Sequence, residues 1–294
     1  MQMRFGPSGN SESFFAEGHK TTIEQPKWLY ENFALDAFEY SFGRGVRITE
    51  KSARQIGEAF DAYGIQKSVH APYFINLATE EEQKKANCLK YFEQACRAAQ
   101  WMGAKRVIFH PGAQGKMERE QAVENILTLF PQILEKLEAQ GLLEGITLCP
   151  ETMGKLGQIG DIEEILCICA LDERLIPCVD FGHIYARRLG QFGDKKSFAA
   201  ILDGIESSLG KERAKQIHVH FARIEFTKGG EKRHWNYQDI QYGPNFDPLA
   251  ALLAQRDYTA VVICESSGKM AEDAATYRDM YLKAREAWQH ESKM

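Results

Sequence analysis

Residues 178–188 read CVDFGHIYARR, a short apolar run that ends in Asp180 and, three residues on, His183. Leu175 to Val179 have the character of a buried strand, and the two side chains at its end are both able to bind a metal ion. The same layout recurs along the chain. Short apolar or β-branched runs stand at 3–8 (MRFGPS), 37–42 (AFEYSF), 67–72 (KSVHAP), 106–111 (RVIFHP), 146–151 (ITLCPE), 176–181 (IPCVDF), 216–221 (QIHVHF) and 260–265 (AVVICE). Segments of helical period separate them. In EEQKKANCLKYFEQACRAAQWMGA, for example, Leu89, Phe92, Ala95, Cys96 and Ala99 share one face, and Gly103 supplies a stop signal. Eight strands alternating with helices predict an α/β architecture, a closed parallel (β/α)8 TIM barrel, with its chemistry at the C-terminal ends of the strands.

The length of 294 residues suits one such barrel, whose typical size is roughly 250 residues. No linker, repeat or low-complexity tract divides the chain, so residues 1–294 are expected to form a single domain. Hydrophobic residues make up 44% of the sequence, enough for a large core, and the formal net charge is -5. That charge, with no basic arm at either end, excludes a general polyanion binder, so any contact with nucleic acid must be local. There is no apolar leader at the N-terminus and no run of about 18 apolar residues. A cytoplasmic protein, monomeric and without membrane contact, is the expectation. Seven cysteines, several inside apolar runs and none in a CxxC pair, read as reduced core residues.

The strand ends carry an uneven share of the ionisable residues. His70 closes the third run, His110 the fourth, Glu151 the fifth, Asp180 with His183 the sixth, and Glu265 the eighth; the seventh holds His218 and His220, and His234 follows in the loop KGGEKRHWNYQD. Six of the eight histidines therefore fall on or just after strand ends, leaving His19 and His290, which read as solvent-exposed. Converging imidazoles and carboxylates would strand buried charge unless cations were present. Nitrogen and oxygen donors without thiolate suit zinc or another first-row divalent ion such as manganese, and they exceed one tetrahedral site, so two or three ions are expected. Residues i and i+2 of a strand share a face. His220 could thus ligate beside His218, but one imidazole from this strand suffices, and His220 is read as a core or supporting residue.

These stretches resemble the endonuclease IV family of apurinic/apyrimidinic endonucleases, within the xylose-isomerase-like barrel superfamily. The resemblance rests on SVHAPYFINLA, VIFHPGA, CPETMGKLGQIG, CVDFGHIYA, IHVHF and ICES, in that order over about two hundred residues. It implies that His70 and His110 bind one ion that Glu151 bridges to a second, that Asp180, His218 and Glu265 complete the second, and that His183 and His234 belong to a third. It also implies a zinc-dependent hydrolase that cuts DNA 5′ to abasic sites with a metal-bridging hydroxide, for which Glu151 is the central catalytic residue. Tyr73 and Phe74 match positions that enter the duplex, and Arg44, in GRGVR with Arg47, is a candidate phosphate contact.

The sequence departs from the family at the third ion. Where an aspartate is expected two residues before the loop histidine, this chain has Lys232, which cannot coordinate and could instead meet a substrate phosphate. A neighbouring acid such as Glu231 would then have to complete the shell. Lys228, Lys232 and Arg233 lie beside His234 and predict a local positive patch. Two further readings stay open: a sugar isomerase or epimerase using only a core like Glu151, Asp180, His218 and Glu265, and a metal-binding relative without repair activity.

Overall fold

A computed structural model describes residues 2–292. All eight expected strands are present, and we number them β1 (Arg4–Pro7), β2 (Ala37–Ser41), β3 (Gln66–His70), β4 (Arg106–Phe109), β5 (Thr147–Pro150), β6 (Cys178–Asp180), β7 (His218–Phe221) and β8 (Val261–Cys264). Parallel ladders join β2 to β3, β4 and β5 in order, and join β1 to β8, β7 and β6. Single parallel bridges, Ser8 to Glu39 and Glu151 to Cys178, close the two halves into a barrel. At the first closure Gly6 is required by contact: a Cβ there would lie 1.7 Å from the Ala37 carbonyl oxygen.

Alternation along each strand sorts side chains between two environments. On β6, Val179 packs outward into the main apolar core, while Cys178 and Asp180 point into the barrel with their neighbours. The outer core lies between strands and helices. Phe109 of β4 meets Phe92 of helix Glu82–Met102 at a ring separation of 4.9 Å and Phe130 of helix Arg119–Ala139 at 5.2 Å. Complete burial of each such ring contributes roughly 1.5–3 kcal/mol. Gly103 ends the first of these helices at φ 67, a left-handed cap that glycine adopts without steric cost.

The barrel interior is mixed rather than apolar. Small apolar groups, Ala37 with Val261 and Ile263, and Ile108 with Cys149 and Cys178, alternate with the buried polar residues Glu39, Ser68, Arg106 and His218. Six of the seven cysteines are buried and all are free thiols, as their apolar setting implies. His19 is not simply solvent-exposed: it is half-buried and stacks on Phe14 at 4.8 Å, held by a contact the sequence does not display. No helix among the described residues is long and apolar enough to cross a membrane.

Candidate metal centre

The strands deliver their terminal side chains to one cavity of about 440 Å³, lined by His70, His110, Glu151, His183, Glu231, His234 and Glu265 together with Ser41, Tyr73, Met153, Lys155 and Gln158. Glu151 lies at its centre, fully buried. One of its oxygens, Oε2, is 2.9 Å from His70 Nε2 and 3.2 Å from His110 Nε2. The other, Oε1, is 3.2 Å from His220 Nδ1 and 3.4 Å from His183 Nδ1. A single carboxylate thus faces imidazoles on both sides, the disposition a bridging ligand needs.

Three sets of donor atoms converge within 4.8 Å around this cavity: His70, His110 and Glu151; Glu151, Asp180, His220 and Glu265; and His183, Glu231 and His234. The structure brings together His70, His110 and Glu151, which the sequence reading grouped, and places Asp180 and Glu265 together in the second set. The imidazole that β7 brings to them is not the one expected. His220 stands with the carboxylates, and His218 lies one layer deeper, 3.1 Å from Glu39 Oε2. Register explains the exchange, since β7 pairs His220 directly with Asp180 of β6, whereas His218 is level with Cys178.

In the third set the fold supplies what Lys232 cannot. The hairpin Arg223–Thr227 with Gly230–Trp235 contains a bulge: Glu225 pairs with Arg233 and Phe226 with Glu231, so Lys232 is the extra residue. In a regular strand, residues three apart face opposite sides; an inserted residue cancels this and turns Glu231 and His234 the same way. Glu231 lies 3.4 Å from His183 Nε2 and 3.6 Å from His234 Nε2. Lys232 is turned outward onto Glu225, 2.6 Å away, and does not line the cavity.

On the ligand-bearing end of β6, Asp180 does two jobs. Its Oδ1 accepts from the His183 amide at 2.7 Å, capping helix Phe181–Arg187 and fixing His183 one turn beyond the strand. Its Oδ2 is buried with no hydrogen-bond partner. Burial raises the Asp180 carboxyl above the usual range, opposed by the His183 charge. The nearest cationic group is His183 Nδ1 at 3.4 Å; a buried carboxylate oxygen without a hydrogen bond is costly, and a divalent ion among Asp180, Glu151, His220 and Glu265 would satisfy it.

The same tension runs through the other donors. Burial disfavours protonation of His70, yet the hydrogen bond and charge of Glu151 outweigh it and lift the imidazole to about 9. His183 and His220 are likewise raised well above the usual value, burial being overcome by Asp180, Glu151 and Glu231 for the first and by Cys178 with Glu265, Glu39 and Glu151 for the second. Glu231 is held down to about 2, because His234 and His183 outweigh its burial. The pocket therefore favours positive charge between its imidazoles and carboxylates, whether carried by protons or by metal ions. The donor sets fit divalent ions bound through nitrogen and oxygen.

Of the residues expected to meet substrate, Tyr73 lines the cavity and is half-exposed. Phe74 lines an adjoining cavity of about 340 Å³ that shares Tyr73, His110 and Gln158 with the first. Arg44 is exposed in the loop whose Gly43 carbonyl accepts from the Tyr73 amide at 3.3 Å, and it does not line the cavity. Within the patch expected around His234, Lys232 pairs with Glu225 and the Arg233 guanidinium lies 4.4 Å above the Trp235 ring, while Lys228 is exposed. The cation on the cavity wall is Lys155, which sequence reasoning passed over. Its signal was the glycine before it: a Cβ at Gly154 would fall 2.6 Å from Glu231 and 2.9 Å from His183, so this loop must press against the third donor set.

A family model, the xylose isomerase-like TIM barrel, matches residues 30–288. The chain belongs to this family. It is 39% identical over 234 residues to an uncharacterised protein of Methanocaldococcus jannaschii, covering 79% of this chain and 82% of that one. It is also 26% identical over 230 residues to a probable endonuclease 4 of Staphylococcus aureus, covering 71% and 74%. Among solved structures, a D-tagatose 3-epimerase-like protein superposes with a TM-score of 0.67 at 19% identity, covering 99% of this chain and 100% of that one. Endonuclease IV from Thermus thermophilus gives 0.62 at 19%, with the same coverage. The two structural likenesses concern the fold.

Proposed function

We propose that this protein is a zinc-dependent phosphodiesterase that hydrolyses DNA 5′ to abasic sites. The observation that carries the reading is the third donor set, His183, Glu231 and His234, beside the two sets that share Glu151. A sugar isomerase with one or two ions in the Glu151, Asp180, His220 and Glu265 set has no use for it. Divalent ions held there would acidify a water to serve as nucleophile and offset charge on the attacked and leaving oxygens. Glu151 holds the first two sets at a fixed spacing. Lys155 places a cation on the wall where a phosphate would lie, and the half-exposed Tyr73 ring offers a face to a sugar or base at the mouth.

A second reading has its own support. The set Glu151, Asp180, His220 and Glu265 would suffice for one ion, and a cavity of about 440 Å³ is of small-molecule size. This favours a ketose epimerase, with a sugar in place of DNA. Supercoiled plasmid carrying abasic sites, incubated with zinc-loaded protein and with a chelator control, tests the first reading, which expects chelator-sensitive nicking and none of intact plasmid. Absence of nicking together with epimerisation of a ketohexose panel would replace it with the second. Neither activity in a zinc-retaining protein would leave a metal-binding relative without repair function.

A further inference from the structure

Below the donor sets lies a polar layer with no part in the reactions above. Glu39, in the middle of β2, is fully buried. Its Oε2 accepts from Ser68 Oγ at 2.9 Å and faces His218 Nε2 at 3.1 Å; its Oε1 faces His220 Nε2 at 3.0 Å. Arg106, also buried, places Nη1 3.3 Å from His218 Nδ1. A guanidinium only donates. His218 Nδ1 must therefore accept, its hydrogen sits on Nε2, and that hydrogen goes to Glu39. With Oε2 already serving Ser68 and His218, Oε1 is left for His220. Neither Glu39 Oε1 nor His220 Nε2 has an aligned hydrogen-bond partner among the described residues, and the two lie 3.0 Å apart, so each is the complement of the other.

We propose that Glu39 is a positioning residue that keeps the hydrogen of His220 on Nε2, so that Nδ1 is free to bind a divalent ion with Glu151, Asp180 and Glu265. Metal-binding imidazoles commonly give their other N–H to a carboxylate, which fixes ring and tautomer. Here the chain of control is longer: Arg106 sets His218, His218 and Ser68 occupy one oxygen of Glu39, and the remaining oxygen sets His220. Cys178, His218 and His220 also bring donor atoms within 4.8 Å of one another. They do not make a further ion site, because His218 has its Nδ1 lone pair on Arg106 and a hydrogen on Nε2. The inference rests on the reading of the rim residues as metal ligands and holds for either substrate.

The test is Glu39→Gln. Two donors converge where Oε2 stood, so the amide oxygen goes there and the amide nitrogen meets His220 Nε2, driving its hydrogen to Nδ1. Zinc affinity measured by chelator competition is expected to fall about 10–100-fold at one site, with the folded far-ultraviolet spectrum retained. In ¹⁵N spectra of zinc-loaded wild type, His220 is expected to coordinate through Nδ1 and carry hydrogen on Nε2. Equal zinc affinity in wild type and variant overturns the role of Glu39, and no zinc retained by the wild type overturns the ligand reading itself. Should the variant fail to fold, coordination of wild-type His220 through Nε2, or a thiolate-to-cobalt charge-transfer band from Cys178 in cobalt-substituted wild type, overturns the proposal.

Discussion

His218 and His220 lie two residues apart on β7, point into the same barrel and are both fully buried, yet they meet opposite chemistry. His220 Nδ1 faces the carboxylates of Glu151 and Glu265, at 3.2 and 3.6 Å. His218 Nδ1 faces a guanidinium. Burial pulls the His218 imidazole down to about 4 despite Glu39, whereas Cys178 together with Glu265, Glu39 and Glu151 outweighs burial and lifts His220 well above its usual value. The environment of an imidazole in this barrel is thus a property of height along the strand rather than of residue type: in the upper layer the imidazoles face Glu151, Asp180, Glu231 and Glu265, and in the lower layer the His218 ring is already taken up by Arg106 and Glu39.

The largest effect that would sharpen this contrast comes from the centre of the upper layer. Glu151→Gln keeps the shape but removes the charge that faces His70, His110, His183 and His220, and an amide cannot bridge two cations. Turnover is expected to fall about 10³-fold or more, at least the scale of losing one strong stabilising group, with a cooperative melt retained. Near wild-type turnover in a well-folded variant would take Glu151 out of the centre.

Next come the two histidines themselves. His220→Ala is expected to lose at least one ion during dialysis, with little change in secondary structure. His218→Ala should keep its ions better but melt earlier, because Arg106 and Glu39 each lose a buried partner, an effect on the order of 1–3 kcal/mol. Metal analysis and thermal melts of both variants decide the matter. If His218→Ala sheds ions as readily as His220→Ala, the two layers are one site.

How much of this contrast the sequence displays depends on which physical rule is at work. Strand number and the rim position of His70, His110, Glu151, Asp180 and Glu265 follow from period-two burial and the strand-end rule, both local patterns. The choice between His218 and His220 is not local. It depends on stagger between strands, which pairs His220 with Asp180 and Ile263, and no property of QIHVHF encodes that stagger. Glu39 is hidden for a related reason: mid-strand in AFEYSF it looks like an outward polar residue, and only barrel closure turns it onto two imidazoles. Glu231 was legible as a nearby acid, but the bulge that aims it was not.

The outer surface sets the next effect. If DNA is the ligand, its phosphates meet a chain of net charge -5 whose cavity wall holds Lys155, with Lys232 already on Glu225. About three released counterions would lower affinity for an abasic duplex roughly 40-fold between 50 and 200 mM salt. A slope corresponding to ten or more would contradict the paucity of phosphate contacts. No preference over intact duplex would favour the sugar reading.

The smallest effects belong to the hairpin, where upper-layer chemistry is built outside the barrel. Lys232 is the bulge residue, exposed and paired with Glu225, so Lys232→Ala should leave the melting temperature and the metal content unaltered, as expected for a solvent-screened ion pair. Removing the residue altogether is the sharper experiment. Deletion of Lys232 abolishes the bulge and brings Glu231 to two residues before His234, a spacing at which an unbulged strand also points both side chains one way. The third donor set should then survive deletion but not Glu231→Gln, which removes its only carboxylate charge. Retained metal after dialysis, compared across the three variants, separates the possibilities. An ion retained more strongly on Lys232→Ala would place the ammonium in the site, standing where a cation binds, and an ion kept in Glu231→Gln would show that His183 and His234 need no acid between them.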